Sequence, residues 1–212
     1  MADPHPNTRL ETFCDGVFAI ALTLLIIDIK IPASEGIGTT RELWLALRHL
    51  GPSIFAFVLS FAIILITWVN HHRFFRLVHK SSGPFVYANG FLLLTVVFMP
   101  FPTGLVGEYL LTDHAAAAVV IYNSVTAANA VGWILVTGAA LRNGLAKDEQ
   151  SVALVRVGHR NGYFASVVYS LLALAAVWFP LAVAIVTTML WAYWLAFSLN
   201  AFRKFGALVI RL

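Results

Sequence analysis

An aspartate near the start of an apolar run is the first residue in this sequence that could do chemistry. An ionisable side chain in a membrane segment is expensive and usually has a partner. For Asp15, the candidate partners are Arg9, six residues earlier, and Trp68, Asn70 and His71 at the end of the second apolar run. We expect His71 to hydrogen-bond to Asp15. The alternative is an interfacial aspartate at a helix N-terminus, where the helix dipole favours an anion.

A stripe of branched apolar side chains follows this aspartate. At about 100° per residue in a helix, Leu24, Ile27 and Ile31 lie within about 40° of Ile20, with Thr23 at the edge. Such a stripe usually faces lipid or a neighbouring helix. The residues alone do not assign it a further role.

Other chemistries find no support in the sequence. His71 and His72 are adjacent, so their side chains point about 100° apart and do not suit one metal ion. The single cysteine, Cys14, excludes an internal disulfide and any Cys-based zinc or iron–sulfur site within one subunit. Phosphate-binding, dinucleotide-binding and catalytic-triad motifs are missing. We therefore expect neither an enzyme nor a metal or other cofactor.

The composition indicates an all-α integral membrane protein. Of 212 residues, 60% are hydrophobic and 11% are charged, whereas soluble domains carry roughly 25% charged residues. A span needs roughly 20 apolar residues, and residues 1–212 form a single domain of six such spans. The expected spans are residues 13–31, 50–70, 84–111, 115–141, 161–179 and 181–202. The polar stretch 142–161 between the fourth and fifth spans is expected to be a cytoplasmic loop.

The distribution of basic residues predicts the orientation. With six spans, eleven of the 14 Lys and Arg residues lie on the side that holds both termini, and Lys30, Arg41 and Arg48 lie on the other. Positive charge concentrates in cytoplasmic loops, so both termini are expected in the cytoplasm. The same bias explains the net charge of +4 without a nucleic-acid partner.

The first helix resembles the signature of the transmembrane protein 175 family of lysosomal and prokaryotic potassium channels. The resemblance is carried by residues 9–24, which read Arg9-x-x-x-Phe13-Cys14-Asp15-Gly16-Val17-Phe18-Ala19-Ile20-Ala21-x-Thr23-Leu24. The end of the second run, Trp68-Val69-Asn70-His71-His72-Arg73, supports it more loosely. The family motif has serine where this chain has Cys14, and a thiol is the weaker hydrogen-bond donor.

This resemblance implies a homotetramer in which the first helix of each subunit lines a central pore. Rings of apolar side chains would constrict the pore, with Ile20 innermost, Leu24 and Ile27 further out, and Thr23 near the constriction. The implied function is a leak-type channel in the cell (inner) membrane, preferring potassium and passing sodium more weakly. Asp28 would lie at the outer mouth and concentrate cations there, although a solvated interfacial acid is an equal alternative.

The resemblance also implies a polar network that anchors the first helix to its neighbours. The expected members are Arg9, Phe13, Cys14, Asp15, Trp68, Asn70 and His71. Two other functions stay open: a proton-coupled secondary transporter that uses Asp15 and His71, and a non-conducting membrane assembly protein.

Overall fold

A computed structural model describes residues 7–209, with side chains described over 7–196. This part of the chain is helical. The helices, in chain order, are α1 (Thr8–Leu24), α2 (Thr40–His49), α3 (Gly51–Phe75), α4 (Gly83–Phe98), α5 (Pro100–Tyr109), α6 (Ala115–Arg142), α7 (Glu149–Ala175) and α8 (Pro180–Val209). Short 3₁₀ turns at Leu25–Asp28 and Ser34–Gly36 follow α1.

In the part of the chain that the structure describes, four helical segments are long and apolar enough to cross a membrane. They are Thr8–Asp28, Gly51–Phe75, Gly83–Tyr109 and Ala115–Arg142, and they match the first four expected spans to within a few residues. The part of α8 whose side chains are described, Pro180–Ala196, is apolar but shorter than these segments. Helix α7 carries Arg156, His159 and Arg160 in its first half. The fifth and sixth spans therefore stay predictions.

The expected loop over 142–161 is wrong, because α7 begins at Glu149 and only residues 143–148 separate it from α6. Asp148 starts the helix as its N-cap, and its carboxylate accepts a 2.7 Å hydrogen bond from the Ser151 backbone N–H. Hydrogen bonding from Ser151 lowers the pKa of the Asp148 carboxyl group. The polar residues at the start of α7 thus belong to a long helix, although their composition in the sequence is typical of a loop.

Proline also divides the third expected span. Pro100 follows Met99 between α4 and α5, and a proline inside a helix removes one backbone hydrogen bond. Met99 keeps helical backbone angles, and its carbonyl accepts from Thr103 both the backbone N–H and the side-chain hydroxyl. The two helices therefore follow one another as a single, interrupted segment.

Glycine permits close packing between α4 and α6. A Cβ atom on residue 132 would lie 3.0 Å from both the Cα and the Cδ1 of Leu92. Small residues at helix interfaces allow such approach in membranes. We expect Gly132→Ala to destabilise the protein by about 1–3 kcal/mol through overpacking, which lowers the thermal midpoint by about 2–4 °C per kcal/mol.

The control for this prediction is Gly90→Ala, because a Cβ at Gly90 on α4 meets no atom within 4 Å. That change should be neutral or stabilising by up to about 1 kcal/mol, since alanine is the better helix former. Equal thermal midpoints for the two variants would contradict the close contact at Gly132.

Candidate functional site

The first helix has two opposite faces. One packs into the protein through the buried side chains Cys14, Phe18, Ala21 and Leu25. These residues recur every three or four positions, as one helix face requires. They join a core cluster with side chains of α3, α4, α5, α6 and α8, so the orientation of α1 in the subunit is set by this face.

The opposite face carries the apolar stripe, and it is uncovered. Ile20, Leu24 and Ile27 are 59%, 37% and 69% exposed, and we call these three residues the exposed stripe. Thr23 is also exposed, and its hydroxyl donates to the Ile20 carbonyl at 2.8 Å. The expectation that Ile31 continues the stripe is wrong, because the α-helix ends at Leu24 and Ile31 lies beyond the following 3₁₀ turn.

Two contacts four residues apart hold the start of α1 against the end of α3. The Trp68 indole N–H donates to Asp15 Oδ1 at 2.8 Å, and Glu11 Oε1 lies 3.2 Å from His72 Nδ1. Because residues four apart share a helix face, the two pairs match as expected for antiparallel helices. The predicted link between Asp15 and the second span is present, and its partner is Trp68.

His71 has a different partner from the one expected. Its ring is buried beside Phe18 and Phe75, with ring centroids 5.3 and 4.6 Å away. His71 Nε2 lies 3.0 Å from Asn89 Oδ1, and the Asn89 amide N–H donates to the Phe85 carbonyl. This leaves the amide oxygen of Asn89 to accept from His71, so the predicted hydrogen bond between His71 and Asp15 is wrong.

The remaining predicted network residues are dispersed. Arg9 and Asn70 are exposed, and over residues 7–196 no ion pair involves Arg9. Phe13 lies on the exposed side of α1, while Cys14 is fully buried. Asp15, Trp68 and His71 thus lie where α1, α3 and α4 meet, whereas Arg9, Phe13 and Asn70 lie outside this contact.

The buried thiol is open to a direct test. Cys14 packs in an apolar cluster, where a thiol behaves as a small hydrophobic group. A serine hydroxyl at this position could donate to the carbonyl one turn earlier in its own helix. We therefore expect Cys14→Ser to be tolerated and to change stability by less than about 1 kcal/mol. A thermal midpoint lowered by many degrees would show that the site requires an apolar group.

Asp28 lies at the other end of the α1 segment. It is exposed, and its carboxylate rests over α5, where a Cβ on Gly104 would be 3.3 Å from Cγ and 3.4 Å from each oxygen. Glycine at position 104 therefore makes room for the Asp28 side chain. Over the described residues, no group of three His, Cys, Asp or Glu side chains could hold a metal ion.

Sequence reasoning missed a set of buried polar contacts between helices. The hydroxyls of Thr103 on α5 and Ser60 on α3 lie 2.7 Å apart, and the Ser60 hydroxyl lies 3.0 Å from the Tyr122 hydroxyl on α6. Thr187 on α8 donates to Asn123 on α6 at 2.9 Å. Ser60 and Thr103 are single polar residues within apolar runs, whereas Tyr122, Asn123 and Thr187 have polar neighbours in the sequence. Polar residues inside apolar runs were the signal available in the sequence.

Comparisons with known proteins match this chain to one family. Residues 9–100 match the family described as endosomal/lysosomal potassium channel TMEM175. A potassium channel of Chamaesiphon minutus is 49% identical over 123 residues, covering 58% of this chain and 60% of that protein. A potassium channel of Streptomyces collinus is 42% identical over 130 residues, covering 61% and 62%. The aligned segments thus span about three fifths of the length of these two curated relatives.

A solved structure extends the likeness over most of the chain. The crystal structure of a lysosomal potassium-selective channel TMEM175 homolog from Chamaesiphon minutus superposes with a TM-score of 0.76 at 37% identity. The match covers 90% of this chain and 96% of that one. This all-helical membrane chain belongs to the TMEM175 family.

Proposed function

We propose that the protein is a potassium-preferring, leak-type cation channel whose pore is lined by α1. The observation that carries this proposal is the exposed stripe, which lies opposite the buried face of α1. An apolar face left uncovered on an otherwise well-packed helix needs lipid, another subunit or a pore beside it. The relatives named potassium channel favour the pore.

Four copies of the chain would bring their α1 helices together around one axis. Ile20 would form the narrowest ring, Leu24 and Ile27 would form rings further out, and Thr23 would lie beside the constriction. Asp28 would attract cations at the outer mouth. Asp15, Trp68 and His71 would hold α1 in position by tying its inner end to α3 and α4, without touching the ions.

The apolar rings set an expectation for selectivity. Isoleucine and leucine side chains offer no oxygen ligands, so a passing ion loses part of its water without replacement. Potassium holds its water less tightly than sodium, and the partial dehydration therefore costs it less. Hydrophobic constrictions also gate by dewetting. Selectivity for potassium is expected to be real and weaker than that of a carbonyl filter.

Ion flux into liposomes tests the channel function. Purified protein should give potassium uptake driven by a potassium gradient alone, with slower sodium uptake. The alternative function, a proton-coupled secondary transporter using Asp15 and His71, would need a proton gradient as well. The structure gives these residues separate partners, Trp68 and Asn89. No flux at all would favour the assembly protein over both.

The proposed topology has six spans, with both termini in the cytoplasm. The proposed location is the cell (inner) membrane. It rests on the basic residues, of which eleven would lie inside and three outside. A reporter that is active only in the cytoplasm should be active when fused after Leu212. Activity of a reporter that works only outside the inner membrane would contradict six spans.

A further inference from the structure

A cavity of about 280 Å³ lies between α3, α6, α7 and α8, away from the exposed stripe. Aromatic side chains form much of its wall: Phe74, Trp133, Tyr169, Trp191 and Trp194. An apolar cavity of roughly 150 Å³ is enough to hold benzene. The space in this protein therefore suits a molecule of one ring with a small substituent.

Two buried polar groups in this wall lack an acceptor. The rings of Tyr169 and Trp191 stack with centroids 5.7 Å apart, and both side chains are at least nine-tenths buried. The Trp191 indole N–H has no hydrogen-bond partner among the described residues. Trp194 approaches the Tyr169 hydroxyl, but an indole N–H only donates. The Tyr169 O–H proton thus also lacks an acceptor in the described part of the chain.

The hydroxyls of Thr67, Thr126 and Thr137 in the wall donate to carbonyls of their own helices. The wall's other polar side chains are those of Asn70, Arg73, Asn129 and Asn161, and none of these seven side chains accepts a hydrogen bond from Trp191 or Tyr169. A buried donor without a partner costs about 1–3 kcal/mol, so two of them in one cavity call for an acceptor inside it. A water molecule would supply an acceptor, but water in the cavity would also be in contact with the apolar surfaces of the aromatic rings.

We propose that this cavity is a binding site for an uncharged amphiphile, a ring-sized apolar molecule that carries a hydrogen-bond-accepting oxygen. The oxygen accepts from Trp191 and Tyr169, and the ring packs against the aromatic wall in offset or edge-on geometry. The two unpartnered donors are neutral, so they favour an uncharged oxygen. The wall also contains Arg73 and three asparagines, Asn70, Asn129 and Asn161. Nothing in the proposal depends on ion conduction.

The test uses two fluorinated probes of nearly equal size, 4-fluorophenol and fluorobenzene. Their binding to the purified protein in detergent is followed by ¹⁹F NMR, and the specific part is what unlabelled phenol displaces. We expect saturable binding of 4-fluorophenol and weaker binding of fluorobenzene. Trp191→Phe, which keeps the ring and removes the N–H, should raise the Kd for 4-fluorophenol about fivefold, the value of one neutral hydrogen bond, and should leave fluorobenzene unchanged.

Trp178→Phe is the matched control, since Trp178 is exposed between α7 and α8 and does not line the cavity. This change should alter neither Kd. Ala165→Leu, which adds volume within the cavity wall, should abolish displaceable binding of both probes. Equal affinity for the two probes, or a Kd unaffected by Trp191→Phe, would overturn the proposal. Absence of saturable binding would also overturn it and would leave the cavity to water, the C-terminal residues or a neighbouring subunit.

Discussion

Replacement of Asp15 by asparagine is expected to weaken the proposed tetramer and reduce its yield. The Trp68 indole donates to the Asp15 carboxylate at 2.8 Å, and a hydrogen bond to an ionised acceptor is roughly twice as strong as a neutral one. Asparagine keeps an acceptor oxygen and loses the charge. We expect a loss of about 1–2 kcal/mol per subunit, seen as a lower thermal midpoint and a smaller tetramer peak on size exclusion.

A substitution of Trp68, the hydrogen-bond partner of Asp15, tests the same contact from the other side. Trp68→Phe leaves the half-buried carboxylate of Asp15 without its donor, so its effect should exceed that of Asp15→Asn. The double variant should lose less than the sum of the two single losses, because the residues share one interaction. Glu11→Gln is the control, since Glu11 lies one turn earlier and contacts the partly exposed His72; such pairs contribute little.

Normal tetramer formation in Asp15→Asn, with only ion selectivity changed, would contradict an anchoring role. That outcome would place the carboxylate in the ion path. It would also revive the transporter alternative, in which Asp15 takes part in transport directly.

Helical periodicity placed Ile20, Leu24 and Ile27 on one side of the first helix, and the structure leaves these three side chains exposed. It failed at Ile31, which lies beyond the 3₁₀ turn Leu25–Asp28, where the angle per residue changes. Hydropathy located the spans at α3 and α6 to within a few residues. It missed α2, which has only ten residues, and the polar first turns of α7.

The partners of Asp15 and His71 show what a single sequence leaves open. Both residues were expected to meet each other, since each is a polar group beside the same end of the membrane. Their actual partners depend on which helices pack together and at what depth. Asn89 lies in the third apolar run, and nothing in its spacing relates it to His71. A lone amide in an apolar helix was the available clue, because such groups need a hydrogen-bond partner.

Ile20→Asn is expected to have the largest effect on function, by raising cation flux and lowering the preference for potassium over sodium. Ile20 lies twelve residues after the start of α1 at Thr8, or about 18 Å at roughly 1.5 Å per residue. That depth is close to the middle of a hydrocarbon layer of roughly 30 Å. A ring of four isoleucines there would make a dry constriction, and asparagine would supply polar groups and admit water to it.

Leu94→Asn separates pore hydration from the general effect of a polar residue in the membrane. Leu94 lies eleven residues after the start of α4 at Gly83, and it is 62% exposed, compared with 59% for Ile20. If Ile20 lines the pore, only Ile20→Asn changes the potassium and sodium fluxes into liposomes at matched tetramer yield. Leu94→Asn should mainly reduce yield and leave permeation of the surviving tetramers unchanged. Wild-type fluxes in Ile20→Asn would mean that the exposed stripe faces lipid, and the proposed conduction path would then be wrong along its whole length.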